Sequence, residues 1–106
     1  MNASRREKLQ SMLADDPDDQ MLRYMLATEL DRDGDHDESL TLYRSLMDDS
    51  SPYVPAFLMA GQQLARLGRI DDARATYQRG ITEANRTGDE HAAGEMAEFL
   101  RELRHA

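Results

Sequence analysis

With 106 residues, 40% hydrophobic and 32% charged, the chain has the size and composition of one soluble globular domain. Its formal net charge of −8 argues against nucleic acid and anionic membrane as partners, since both select basic patches, and with no cysteine it has neither a disulfide framework nor a thiolate zinc site. No apolar run approaches the ~18 residues that cross a bilayer, and no apolar segment follows Met1-Asn2-Ala3-Ser4-Arg5-Arg6, so a reducing cytoplasm is the expected setting.

Helical spacing appears throughout, and nothing alternates with period two for long enough to make a strand. A first helix is expected over 4–14, with Leu9, Met12 and Leu13 on one side, stopped by Asp15-Asp16-Pro17 because proline cannot continue the ladder. A second covers 18–32, with Leu22, Tyr24, Met25, Leu26 and Leu30 over a wide apolar face. Asp33-Gly34 turns the chain, glycine supplying the left-handed conformation at the helix end. The third, 37–48, opens on Asp37 and Glu38, which suit the positive end of the helix dipole, and turns Leu40, Leu42, Tyr43, Leu46 and Met47 inward. Ser50-Ser51-Pro52 reads as a break and a cap for a fourth helix that runs to residue 67. Gly68 repeats the turn, a fifth helix covers 71–86, Thr87-Gly88-Asp89 punctuates, and a last helix covers 90–104. That helix carries Met96, Phe99, Leu100 and Leu103 in an i, i+3, i+4, i+7 stripe.

Sliding the chain by 34 residues places Met25 on Met59, Leu30 on Leu64, Arg32 on Arg66, Gly34 on Gly68, Asp37 on Asp71 and Tyr43 on Tyr77. A fixed period of this size means one helical hairpin used twice, and such hairpins stack because neither buries its apolar side alone. Small residues recur where helices must approach closely: Ala27 and Gly61 on one helix of each pair, Ser39 and Ala73 on the other. Tyr43 and Tyr77 are expected to fill the space between pairs. Gly80 stands in mid-helix at a cost of about 1 kcal/mol, which close contact with the last helix would explain.

This pattern resembles the tetratricopeptide repeat family. Repeat one would span 20–53 and repeat two 54–87, flanked by a half repeat over 1–19 and a capping helix over 88–106, all as one domain. Leu26-Ala27, Leu30, Gly34-Asp35, Ser39, Tyr43 and Leu46 stand where the family places its signature residues, as do Phe57, Ala60-Gly61, Leu64, Gly68, Ala73, Tyr77 and Gly80. Phe57 takes the place of the signature tryptophan, and Arg23 departs from it. Asp16-Pro17 is similar to the pair that closes a repeat, so the first helix looks like the second half of a truncated one.

The resemblance implies an all-α, antiparallel helix-hairpin solenoid of about six helices that binds a protein or peptide in a concave groove, without catalysis or cofactor. The leading helix of each pair would line that groove. Those positions are Met21, Tyr24, Met25, Thr28, Asp31 and Arg32 in repeat one, and Leu58, Met59, Gln62, Ala65 and Arg66 in repeat two. Methionine and tyrosine there suit an apolar or helical peptide, although mid-helix methionines usually fill a core. The lysines and asparagines with which chaperone-binding members clamp a carboxylate are replaced by Tyr24, Thr28 and Met59.

Two other readings compete. The terminal stripe of Met96, Phe99 and Leu103 could meet its copy in a weak homodimer, the scaffold otherwise being a monomer. Glu29, Asp31, Asp33, Asp35 and Asp37 fall at calcium-loop spacings around Gly34, but Leu40 stands where the closing glutamate belongs, so no metal site is assigned. His91 and Glu95 lie one turn apart without a third ligand, and His36 and His105 read as turn and tail.

Overall fold

The computed structural model describes residues 4–103, which form six α-helices and no strand: α1 (Arg5–Asp15), α2 (Gln20–Arg32), α3 (His36–Met47), α4 (Val54–Arg66), α5 (Ile70–Arg86) and α6 (Glu90–Leu103). The expected end of the last helix at Arg104, and His105, lie outside the described residues. Contacts divide the chain into two compact units, Met1–Ser51 and Pro52–Ala106, so α1 to α3 belong to the first and α4 to α6 to the second. No helix among the described residues is long and apolar enough to cross a membrane.

Local chemistry explains most boundaries. Ser4 caps α1 by accepting from the Glu7 amide at 3.1 Å, and Asp19 caps α2 by accepting from the Leu22 amide at 2.8 Å. The two leading helices, α2 and α4, end identically. Gly34 and Gly68 take φ of +88° and +79°, and the next amide reaches back to a carbonyl five residues earlier, Asp35 to Leu30 and Arg69 to Leu64, both at 2.9 Å. One expectation fails. Ser50-Ser51-Pro52 does not cap α4; its N-cap is Tyr53, which makes no side-chain cap bond, and Pro55 occupies the first turn. The Ser51 carbonyl instead accepts from Gln20 Nε2 at 2.7 Å.

In the first unit, α2 is the middle helix, touching both α1 and α3. Leu9 of α1 packs with Leu26 and Leu30 of α2, surrounded by Leu13, Leu22, Met25 and Leu42. Ser39 and Ala27 are small because the helices nearly touch: the Ser39 hydroxyl donates to the buried Ala27 carbonyl at 2.6 Å. Tyr43 packs against its own hairpin partner. Its hydroxyl is 3.0 Å from Thr28 Oγ1, and its ring meets Tyr24 edge-on at 6.2 Å.

Arg23, the residue that breaks the signature, has its own task. Its guanidinium donates to Asp49 (2.6 Å), Ser45 Oγ (3.1 Å) and the Asp18 carbonyl (3.0 Å), tying both ends of the hairpin together. Gln20 adds a bond to Asp49 at 3.0 Å. Hydrogen bonds from Arg23 and then Gln20, with the Arg23 charge behind them, hold the Asp49 carboxyl below its ordinary range. A carboxyl depressed in the folded state stabilises the fold above its unfolded pKa, near 4, and that contribution fades as pH falls through the lower folded value. Thermal melts between pH 7 and 3 should therefore show a smaller acid-induced loss for Asp49→Asn than for the wild type. At pH 7, Arg23→Met should cost about 1–2 kcal/mol, since it removes charged hydrogen bonds at a half-buried site.

In the second unit α5 is central, touching both α4 and α6. Phe57, Ala56 and Ala60 of α4 are fully buried. A methyl group at Gly80 would lie 2.6 Å from Phe57 Cβ and strike the Met96 sulfur; one at Gly61 would strike the Tyr77 ring. The expectation that Gly80 answers to the last helix holds, with α4 pressing from the other side.

Candidate functional site: hollows on the leading helices

Tyr24, Met25, Thr28 and Arg32 share one side of α2, as residues three and four apart must. With Glu29, and with Arg5 of α1, they line an open hollow of about 420 Å³. The Thr28 hydroxyl donates to the Tyr24 carbonyl at 3.0 Å, and Glu29 sits between Arg5 (3.8 Å) and Arg32 (3.4 Å). A neighbouring hollow of about 330 Å³ is lined by Arg5, Lys8, Leu9, Met12, Leu22 and Met25. Met25 packs on the core cluster and faces both hollows, so it serves as filler and as lining at once. Met21 is exposed and lines neither. Asp31 also turns elsewhere, its carboxylate 2.9 Å from His36 Nδ1.

In the second unit Gln62, Ala65 and Arg66 of α4 face Phe99, Glu102 and Leu103 of α6 across Tyr77, around a hollow of about 430 Å³. Tyr77 and Phe99 stack at 6.0 Å with ring planes 16° apart. Burial foremost, then the Glu102 charge, pushes the Tyr77 hydroxyl up to about 12 against the opposing pull of Arg66, so it stays a neutral hydrogen-bonding group at physiological pH. Leu58 and Met59 are half-buried and lie outside this hollow. The sequence thus names the α4 wall and misses the α6 wall. The signal was present in the terminal stripe, which was assigned to capping instead of to a facing helix.

Of the terminal stripe, Met96 is fully buried beneath Gly80 and Leu103 is buried, while Phe99 stacks on Tyr77 and lines the hollow. The carboxylates of the acidic turn have near partners of their own. Asp35 bonds to Arg6, which also lies 3.7 Å from Asp33 and 4.0 Å from Glu38, while Asp31 turns to His36. These carboxylates fan out around an arginine of α1 and do not converge; among the described residues no group of three or more acidic or histidine side chains could hold a metal ion. His91 simply pairs with Glu95 at 3.1 Å on an exposed face.

Helices paired in hairpins, a glycine cap repeated at a fixed interval and small residues under large ones define a helical-repeat protein. No family model matches the chain. It is 28% identical to a TPR repeat-containing protein of Pseudomonas aeruginosa over 97 residues, which cover 92% of each chain. The solution structure of a tetratricopeptide repeat domain protein from Salinibacter ruber superposes with a TM-score of 0.77 at 30% identity, covering 82% of this chain and 88% of that one. A protein from Bordetella parapertussis superposes at 0.82 with 28% identity, covering 98% and 90%. The chain belongs to the tetratricopeptide repeat family. Such a fold suggests a scaffold for protein–protein interaction.

Proposed function

We propose that the protein holds a segment of another protein against the leading-helix faces of its units, and that it does so without catalysis, in the cytoplasm. The observation that carries this reading is the hollow between α4 and α6. It has an aromatic floor (Tyr77 and Phe99), a polar wall at Gln62, and opposite charges at Arg66 and Glu102. That composition suits one apolar anchor side chain with polar groups beside it, and a wall built on packed helices needs little ordering to receive it. Tyr24, Met25, Thr28 and Arg32 offer the first unit's counterpart, while Met21, Leu58 and Met59 flank these positions on the same two helices.

Peptides selected from a displayed library on the intact protein test the reading. Phe99→Ala and Gln62→Lys should each weaken the selected peptides by roughly tenfold or more, since a buried anchor contact contributes about 1–2 kcal/mol. Arg44→Ala, on the exposed side of α3, should leave them unchanged. Affinity indifferent to all three would move the site elsewhere.

A further inference from the structure

Met12 of α1 is exposed where its counterparts are covered. The 34-residue offset that relates the hairpins places Met12 on Leu46 and on Gly80. Leu46 is fully buried, and Gly80 lies against Phe57 of the leading helix α4, whereas Met12 is 52% exposed. So α1 has the place of a trailing helix, and among the described residues α2 alone packs on it.

What lies open there is the smaller hollow of about 330 Å³. Leu9 and Met12 of α1, with Leu22 and Met25 of α2, form an apolar seam with i, i+3 spacing on both helices. Such a seam matches the ridges of a third helix, and methionines on both walls adapt to its side chains. Its rim is basic, against the trend of the unit: residues 1–51 contain thirteen acidic side chains and only six basic ones. Of those six, Arg6 is committed to Asp35 and Arg23 to Asp49, and Arg5 and Arg32 share the single carboxylate of Glu29, while Arg5 and the exposed Lys8 line this hollow. Basic residues gathered beside an apolar seam select a partner with carboxylates flanking an apolar stripe.

We infer that the α1–α2 furrow seats an acidic amphipathic helix from a partner protein, standing where a leading helix would complete the α1 hairpin. Its apolar stripe rests on Met12 and Met25, and its carboxylates meet Arg5 and Lys8. This goes beyond the reading of the α4–α6 hollow; Met25 is shared with the first unit's counterpart face, but Lys8 and Met12, which carry the test, belong to neither, so either reading can fail alone.

The probe is a synthetic peptide matched in length to α2, with leucines at i, i+3, i+4 and i+7 and glutamates on both flanks, compared with a twin carrying lysines in their place. Fluorescence anisotropy on the intact protein should show saturable binding of the glutamate peptide, at least ~10-fold tighter than the lysine twin at low salt. Lys8→Glu should narrow or invert that preference, and Met12→Asp should weaken the glutamate peptide by ~10-fold; both positions are exposed, and circular dichroism verifies that the helices remain. Absence of saturable binding, equal binding of the twins, or a preference unmoved by Lys8→Glu overturns the inference. So does concentration-dependent self-association abolished by Met12→Asp, which would make the occupant a second copy.

Discussion

Phe57→Ala is expected to lower the stability of the second unit by about 3–5 kcal/mol, the range for truncating a fully enclosed aromatic side chain. Phe57 has no solvent exposure, its Cβ bears on Gly80, and the Arg79 guanidinium sits 5.4 Å from its ring centre. Removing the ring leaves a cavity between α4 and α5 that neighbouring alanines, Ala56 and Ala60, are too short to fill. Total stabilities of 5–15 kcal/mol make this a large fraction of the whole. Urea unfolding followed by circular dichroism measures it, with Phe57→Leu as the comparison that retains most of the volume. A loss below about 1 kcal/mol for the alanine variant would mean that the aromatic ring is not the centre of the unit.

Gly80→Val acts from the opposite direction. Valine adds three carbons at a point where even one meets Phe57 Cβ at 2.6 Å and the Met96 sulfur. Met96 can move its flexible chain, but the α4 side is fixed close to the backbone. Overpacking of this kind costs about 1–3 kcal/mol, and the gain from replacing a mid-helix glycine, under about 1 kcal/mol, does not offset it. The strain separates α5 from its neighbours and so widens the α4–α6 hollow as well. The expected result is a lower melting temperature together with weaker binding of peptides selected on the wild type. A valine variant as stable as the parent would contradict the close three-helix approach.

Much of this architecture was legible in the residues, because it rests on short-range rules. Gly34 and Gly68 announce left-handed helix ends, and Ala27, Ser39, Gly61 and Gly80 mark close approach. What could not be read were choices among competing partners. Asp31, Asp33 and Asp35 have ligand spacing along the chain, yet Arg6, about thirty residues away, gathers two of them, and only the packing of α1 on α2 brings it there. Ser50 and Ser51 have cap chemistry, but Arg23 and Gln20 draw the preceding Asp49 and the Ser51 carbonyl toward the start of α2. Phe99 and Glu102 have helical spacing that fits an end cap as well as a facing wall. Tyr77 decides between them by stacking on Phe99.

The proposed binding role is tested most directly by amide chemical shifts on the labelled protein during titration with a library-selected peptide. Saturable shifts concentrated at Gln62, Ala65 and Arg66 on α4 and at Phe99 and Glu102 on α6 are the expected result. Shifts confined to the exposed sides of α3 and α5, with these five residues unmoved, would contradict it.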